Sequence, residues 1–211
     1  DVVGWARHII GGSFGTGDAI VESVTVIAGA NGAGQIHDST SRDEVWVQVK
    51  RTINGNTVRY VEFQERDYED DQNADDSVYS DSCITYDSSS ASTITGLTHL
   101  EGQTVKIWAD NAIQADKVVS SGSISLDVAA SVVQVGLSYT HKLKTLKIEG
   151  GNAAGTSVGR TKRINGLTFV LLNSHTIEYG PTASDLDKND FREVSDAMDS
   201  ATPLFTGELF V

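Results

Sequence analysis

The chain predicts an all-β fold, and three observations carry that prediction. The dominant hydrophobic period is two rather than 3.6, so neighbouring side chains fall on opposite faces as they do in strands. The apolar runs are short and are punctuated by Gly, Asn and Ser at close spacing, as in all-β chains. An Asn-Gly pair stands between two such runs, and both residues tolerate the positive φ of a tight hairpin.

Each element follows from these signals in order. Gly11–Gly17 and Gly29–Gly34 are glycine-rich and read as hairpin turns. Val45, Val47 and Val49 alternate with Glu44, Trp46, Gln48 and Lys50. Asn54-Gly55 then turns the chain into a second strand over Val58–Phe63. Val105, Ile107 and Ala109 alternate with Lys106 and Trp108, and Ile124 and Leu126 with Ser123 and Ser125. Val133 and Val135 flank Gln134. Asn165-Gly166 precedes Leu167–Leu172, which is apolar on both faces and reads as a central strand. One short helix is expected around Asp190–Met198. No repeat of fixed period is evident.

Composition marks the boundaries. Residues 62–76 hold eight acids and one base, Arg66, and supply seven of the thirteen net negative charges. Packing that tract would bury unpaired carboxylates, so it reads as a solvated loop or tip. Residues 87–93 are mostly Ser and Thr and read as a turn or short linker. Residues 149–160 contain four glycines and read as a connection between modules.

Charge and cysteine content exclude several functions. Lys+Arg is 16 against Asp+Glu 29, a net charge of -13. Such a chain does not hold phosphate backbones by neutralising them, nor sit on anionic lipid. A single cysteine, Cys83, excludes an intrachain disulfide and a multi-cysteine zinc site. No run of 18 apolar residues is present, so no helical membrane span is expected. Asp1, a lone Met198 and a strand-like end at Gly207–Val211 read as a processed or excised piece of a longer chain, and a trimmed N-terminus would hide a signal peptide.

The candidate chemical motifs are weak. Gly155–Thr161 has three residues between its glycines where a phosphate loop has four, and Arg160 stands where Lys is needed. Asp185, Asp187 and Asn189 place oxygens at alternate positions, as a calcium loop does, but Asp190 occupies the glycine position and Asp196 the final glutamate position. Paired carboxylates for glycoside hydrolysis carry no signal in a chain with 29 acids. His8, His37, His99, His141 and His175 show no paired metal spacing, and His99, between leucine neighbours, reads as a hydrogen-bonded structural residue. Cys83, in an acidic neighbourhood, reads as a small buried hydrophobe rather than a nucleophile. Trp5, Trp46 and Trp108 are the residues available for a sugar platform, although core or interface is the favoured place for Trp46 and Trp108. No catalytic, cofactor-binding or metal residue is assigned.

The segment Ile94-Thr95-Gly96-Leu97-Thr98-His99-Leu100-Glu101-Gly102-Gln103-Thr104-Val105-Lys106-Ile107-Trp108-Ala109-Asp110 resembles a block in tail proteins of short-tailed bacteriophages and prophages, called stabilisation, tail tubular or tail nozzle proteins. The strands Asp43–Arg51 and Arg59–Glu62 precede it as they do in that family, and Val135–Tyr139 and the connector from Glu149 to Ile164 follow in order. Asn111 departs from the family's usual Gly, but suits the same positive-φ turn. Residues 1–42 and 165–211 fit more loosely.

The resemblance implies a non-enzymatic virion protein of the phage tail, without cofactor or metal. Such proteins form homo-oligomeric rings, often sixfold, below the portal and adaptor. They contact the adaptor and other tail proteins, and line a channel through which DNA passes without sequence-specific binding. The implied architecture is a β-propeller-like or sandwich scaffold with an inserted small β-barrel or sandwich. The parts expected are scaffold over 1–66, an acidic loop over 67–79, the insert over 80–146, and a connector returning to the scaffold over 147–211. An acidic conduit wall would keep DNA from sticking. The alternative reading is an extracellular carbohydrate- or receptor-binding β-module, similar to a phage adhesin.

Overall fold

A computed structural model describes residues 7–28, 43–65, 77–146 and 159–211. The tract 66–76, Gly29–Gly34 and most of the 149–160 connector lie outside the described residues. Two compact units divide the chain, Asp1–Tyr139 and Thr140–Val211. The protein is all-β: the described residues form thirteen strands, all paired antiparallel, and a single 3-10 turn at Thr98–Leu100.

In the first unit a small ribbon, β1 (Ser13–Phe14) and β2 (Gly17–Asp18), turns at Gly15 with φ 61°. A three-stranded meander follows, formed by β3 (Ile20–Ile27), β4 (Glu44–Ile53) and β5 (Asn56–Phe63), with β4 in the middle. Asn54 and Gly55 sit at φ 48° and 75°, the pair of positive angles that a two-residue hairpin needs to match strand twist. That turn fixes Ile53 opposite Asn56 and carries the register back to Trp46 opposite Phe63. Val45, Val47, Val49, Arg51 and Ile53 consequently share one face of β4.

A four-stranded sheet completes the unit. Its strands are β6 (Asp81–Thr95), β7 (Thr104–Ala109), β8 (Ala112–Val118) and β9 (Ser123–Leu137), in the order β6-β9-β7-β8. It falls within residues 80–146, and among the described residues no strand ladder joins it to the meander. Asp110 and Asn111, at φ 47° and 62°, make a second tight hairpin between β7 and β8. One apolar cluster forms the core, including Leu97, Leu100, Val105, Ile107, Val133 and Val135. Truncating such a side chain to alanine costs about 2–5 kcal/mol. The buried amide of Gln134 is satisfied within this sheet, its Oε1 accepting from Thr85 Oγ1 at 2.6 Å.

Among the described residues no sheet closes into a barrel, so of the barrel or sandwich expected for this segment the barrel form is not adopted. β9 instead bends: its first part pairs with the end of β6, and its last part lies between the start of β6 and β7. The bend brings residues 127–128 beside β8, where one side chain replaces a ladder. Gln114 Nε2 donates to the Val128 carbonyl at 2.8 Å, and its Oε1 accepts from the Asp127 N–H at 2.9 Å. An ion pair from Lys117 to Asp127 lies alongside.

The second unit contains β10 (Thr168–Ser174), β11 (Thr176–Thr182), β12 (Asp185–Asp190) and β13 (Phe205–Phe210). β10 pairs with β13, and β11 with β12. Phe169 meets Tyr179, and Phe191 stacks on Phe205 with ring centroids 4.5 Å apart. None of the described residues of this unit is buried.

Three further expectations are corrected. Residues 87–93 are not a linker; β6 runs through them, and its register shifts between Asp87 and Ala91 and again before Thr93 absorb the mismatch with β9. No helix forms at Asp190–Met198. β12 extends to Asp190, stacking holds Phe191, and Asp196 accepts the Glu193 N–H at 2.7 Å in a turn, a local bond that competes with helix. Leu167–Leu172 is not central: β10 has one strand neighbour among the described residues, and Val170 is exposed.

Candidate functional site

The alternation that buries Val49 and Ile53 also buries Arg51, whose exposure is 0%. A guanidinium does not shed its proton, so its burial requires partners. Arg51 Nε donates to the Gly11 carbonyl at 2.8 Å. Its two terminal nitrogens grip the Glu62 carboxylate, with Nη2 to Oε2 at 3.0 Å and a closer contact from Nη1 to Oε1. Register explains the meeting: Val58 lies opposite Arg51 and Glu62 opposite Val47, so both residues share one face of the meander.

The network then reaches the four-stranded sheet. Ser82 Oγ donates to Glu62 Oε1 at 2.9 Å. The Ser82 carbonyl lies 3.0 Å from His99 Nε2, and the His99 ring packs edge-on against Tyr60. Asp81 accepts the Gly11 N–H at 2.6 Å and lies 3.1 Å from His8 Nε2. The His8 ring meets Tyr139 edge-on at 4.9 Å. The N-terminal segment, β4, β5, the start of β6 and the end of β9 thus converge on one polar joint. Gly12 completes it: at φ 96° any Cβ would stand 2.9 Å from Arg51 Cδ and 3.1 Å from Leu137 Cδ1. Burial pushes the Tyr60 hydroxyl above its usual range, a shift that Arg51 opposes and Glu62 reinforces.

These donors and acceptors satisfy one another, which is the chemistry of a joint between two sheets. Among the described residues, no group of three or more His, Cys, Asp or Glu is placed to hold a metal ion. Asp185–Asp190 forms strand β12, whose alternating side chains do not wrap around a common centre. Asp190 is paired with Lys188 at 2.8 Å, which holds its carboxyl below the usual range. Gly11–Gly17 forms the β1–β2 turn, whereas Trp5, His37 and Gly155–Val158 lie outside the described residues.

The remaining candidates fall in separate places. His99 is the hydrogen-bonded residue described above. His141 is exposed, and His175 lies in the second unit between β10 and β11. Half-buried Cys83 donates to the Ile84 carbonyl at 3.4 Å, and burial pushes its thiol up. Trp46 and Trp108 are half-buried on different sheets. Trp46 Nε1 donates to Glu44 Oε2 at 3.0 Å and its ring meets Phe63, while the Trp108 ring meets Tyr79 edge-on. They form no shared platform. The reading from sequence missed the Arg51–Glu62 pair, although Arg51 has the same strand parity as Val45, Val47 and Val49.

No protein-family model matches this chain, and no curated protein matches it.

Proposed function

We propose that this chain is a structural subunit of a phage tail, one copy in a homo-oligomeric ring that forms part of the DNA-ejection conduit below the portal and adaptor. It acts by assembly and holds no substrate. The observation that carries this reading is the ordered set of sequence blocks over residues 43–164 resembling tail nozzle proteins. Support also comes from where those blocks fall. Asp43–Arg51 and Arg59–Glu62 supply β4 and β5, Ile94–Asp110 spans the end of β6 through β7, and Val135–Tyr139 ends β9. These blocks supply Arg51, Glu62, Tyr60, His99 and Tyr139 to the joint, while His8, Gly11, Asp81 and Ser82 complete it from outside them. The net charge of -13 suits a wall that DNA slides past.

The carbohydrate-binding reading draws less support, because Trp46 and Trp108 are half-buried on separate sheets with aromatic neighbours. Negative-stain imaging of the purified chain tests the proposal. Closed rings with a central opening are expected. A monodisperse monomer whose tryptophan fluorescence is quenched by glycans would replace this reading with the alternative.

A further inference from the structure

β3 is an edge strand, with β4 its one neighbour among the described residues. Its register places Val21, Val24 and Val26 on the face that β4 lines with Val45, Val47 and Val49. At the Val49 end the β4 side of this face is buried, while Val21 opposite Val49 is 45% exposed. At the other end it is open, with Val24 65% and Val26 57% exposed. The devices that keep edges apart are sparse. Ile20–Ile27 contains no proline and no lysine, and its one charge, Glu22, is already paired with Arg59 and Lys50. A single register shift between Val21 and Ser23 is the only irregularity of its ladder.

The Thr140–Val211 unit has the opposite problem. It has strands but no buried residue among those described, and two-stranded sheets are marginal alone. Leu143 and Leu146 are 93% and 92% exposed in a stretch outside the strands, and Val170 and Phe210 also face solvent. One unit therefore offers an uncovered apolar face, and the other offers uncovered apolar strands.

Charge selects the occupant. The acidic tract begins beside the open valines, because the Gln64 N–H bonds the Val45 carbonyl at 2.8 Å where β5 ends. Residues 62–76 carry eight acids and one base. Residues 140–166 carry Lys142, Lys144, Lys147, Arg160, Lys162 and Arg163 against a single acid, Glu149. Six of the chain's 16 basic residues are thus concentrated next to its least buried strands. Opposite charge of this kind steers encounter and fixes register.

We propose that the open β3–β4 face is an interface between copies of this chain, covered by the Thr140–Val211 unit of a second copy through its basic 140–166 stretch. The two surfaces differ, so the contact is head-to-tail and repeats from copy to copy until it closes as a ring or runs on as a filament. The inference deepens the ring reading by naming its contact, and rests on that reading for closure.

Sedimentation velocity over a concentration series, at low and high salt, tests it. The chains compared are the unaltered protein, Val24→Lys/Val26→Lys, and Lys142→Glu/Lys144→Glu. The unaltered protein is expected to associate, less strongly at high salt, and each variant to need at least about tenfold more protein to do so. Both pairs of positions are exposed, and the lysines lie outside every strand, so their variant carries the test if the valine variant melts early. Rings that persist in both variants would overturn this interface and leave the ring reading standing. Open chains abolished by the variants would uphold the interface and overturn the ring. A monomer at every concentration would overturn both.

Discussion

Replacing Glu62 by leucine strands the most deeply buried charge in the joint. Arg51 is fully buried and keeps its proton, so its partners set the cost. Of its three described hydrogen bonds, two go to Glu62 and one to the Gly11 carbonyl. Removing one partner of a buried pair costs about 3–5 kcal/mol, because the other charge stays desolvated. For a chain of this size, that lowers the melting temperature by about 6–20 °C. The double variant Arg51→Met/Glu62→Leu removes both charges and keeps a long apolar stem in the space beside Gly12, so it should recover most of the loss. Thermal and urea unfolding of both single variants and the double variant, read as a mutant cycle, gives the coupling. A Glu62→Leu cost below about 1 kcal/mol, or a double variant no more stable than that single one, would refute the claim that this pair locks the sheets.

Other expectations follow from the same geometry. Gln114→Ala removes the amide that ties β8 to the bend of β9, whose Oε1 accepts the N–H groups of both Asp127 and Val128, and should cost about 0.5–1.5 kcal/mol, with faster hydrogen exchange at Asp127 and Val128; unchanged exchange there would contradict the bridging role. Gly122→Ala should cost about 1–3 kcal/mol in urea unfolding, because φ is 67° and a Cβ would stand 2.6 Å from Thr98 Cγ2; a neutral effect would mean that the turn relaxes freely. Burial raises the Cys83 thiol, so alkylation of the folded protein should lag behind an unfolded control near neutral pH. The same shift stabilises the fold below the ordinary thiol range, and that contribution is lost as pH rises through the folded value; stability that rose across this window, with Cys83→Ala as control, would show the sign to be wrong.

Local signals predicted what is local. Asn54-Gly55 and the valines of β4 announced a hairpin, and the structure forms it, because positive φ and period-two burial are properties of short windows. Asn111, which suits a positive-φ turn, sits at φ 62°. The misreadings arose where distant partners decide. Ser88, Ser89 and Ser90 look like linker residues alone, but β9 draws the whole of β6 into a strand. Asp190–Met198 has no helix because a ring stack and side-chain bonds to nearby backbone groups hold turns there. The joint was half legible: parity places Arg51 inward, but its partners come from β5, β6 and the N-terminal segment, which no local pattern connects.

The mass of this chain in solution, measured by light scattering across a concentration series, tests most directly the claim that this protein works by assembling. The account predicts a closed species of fixed stoichiometry, a whole-number multiple of the chain mass that stays constant above a threshold concentration. A single chain mass at every concentration would contradict it.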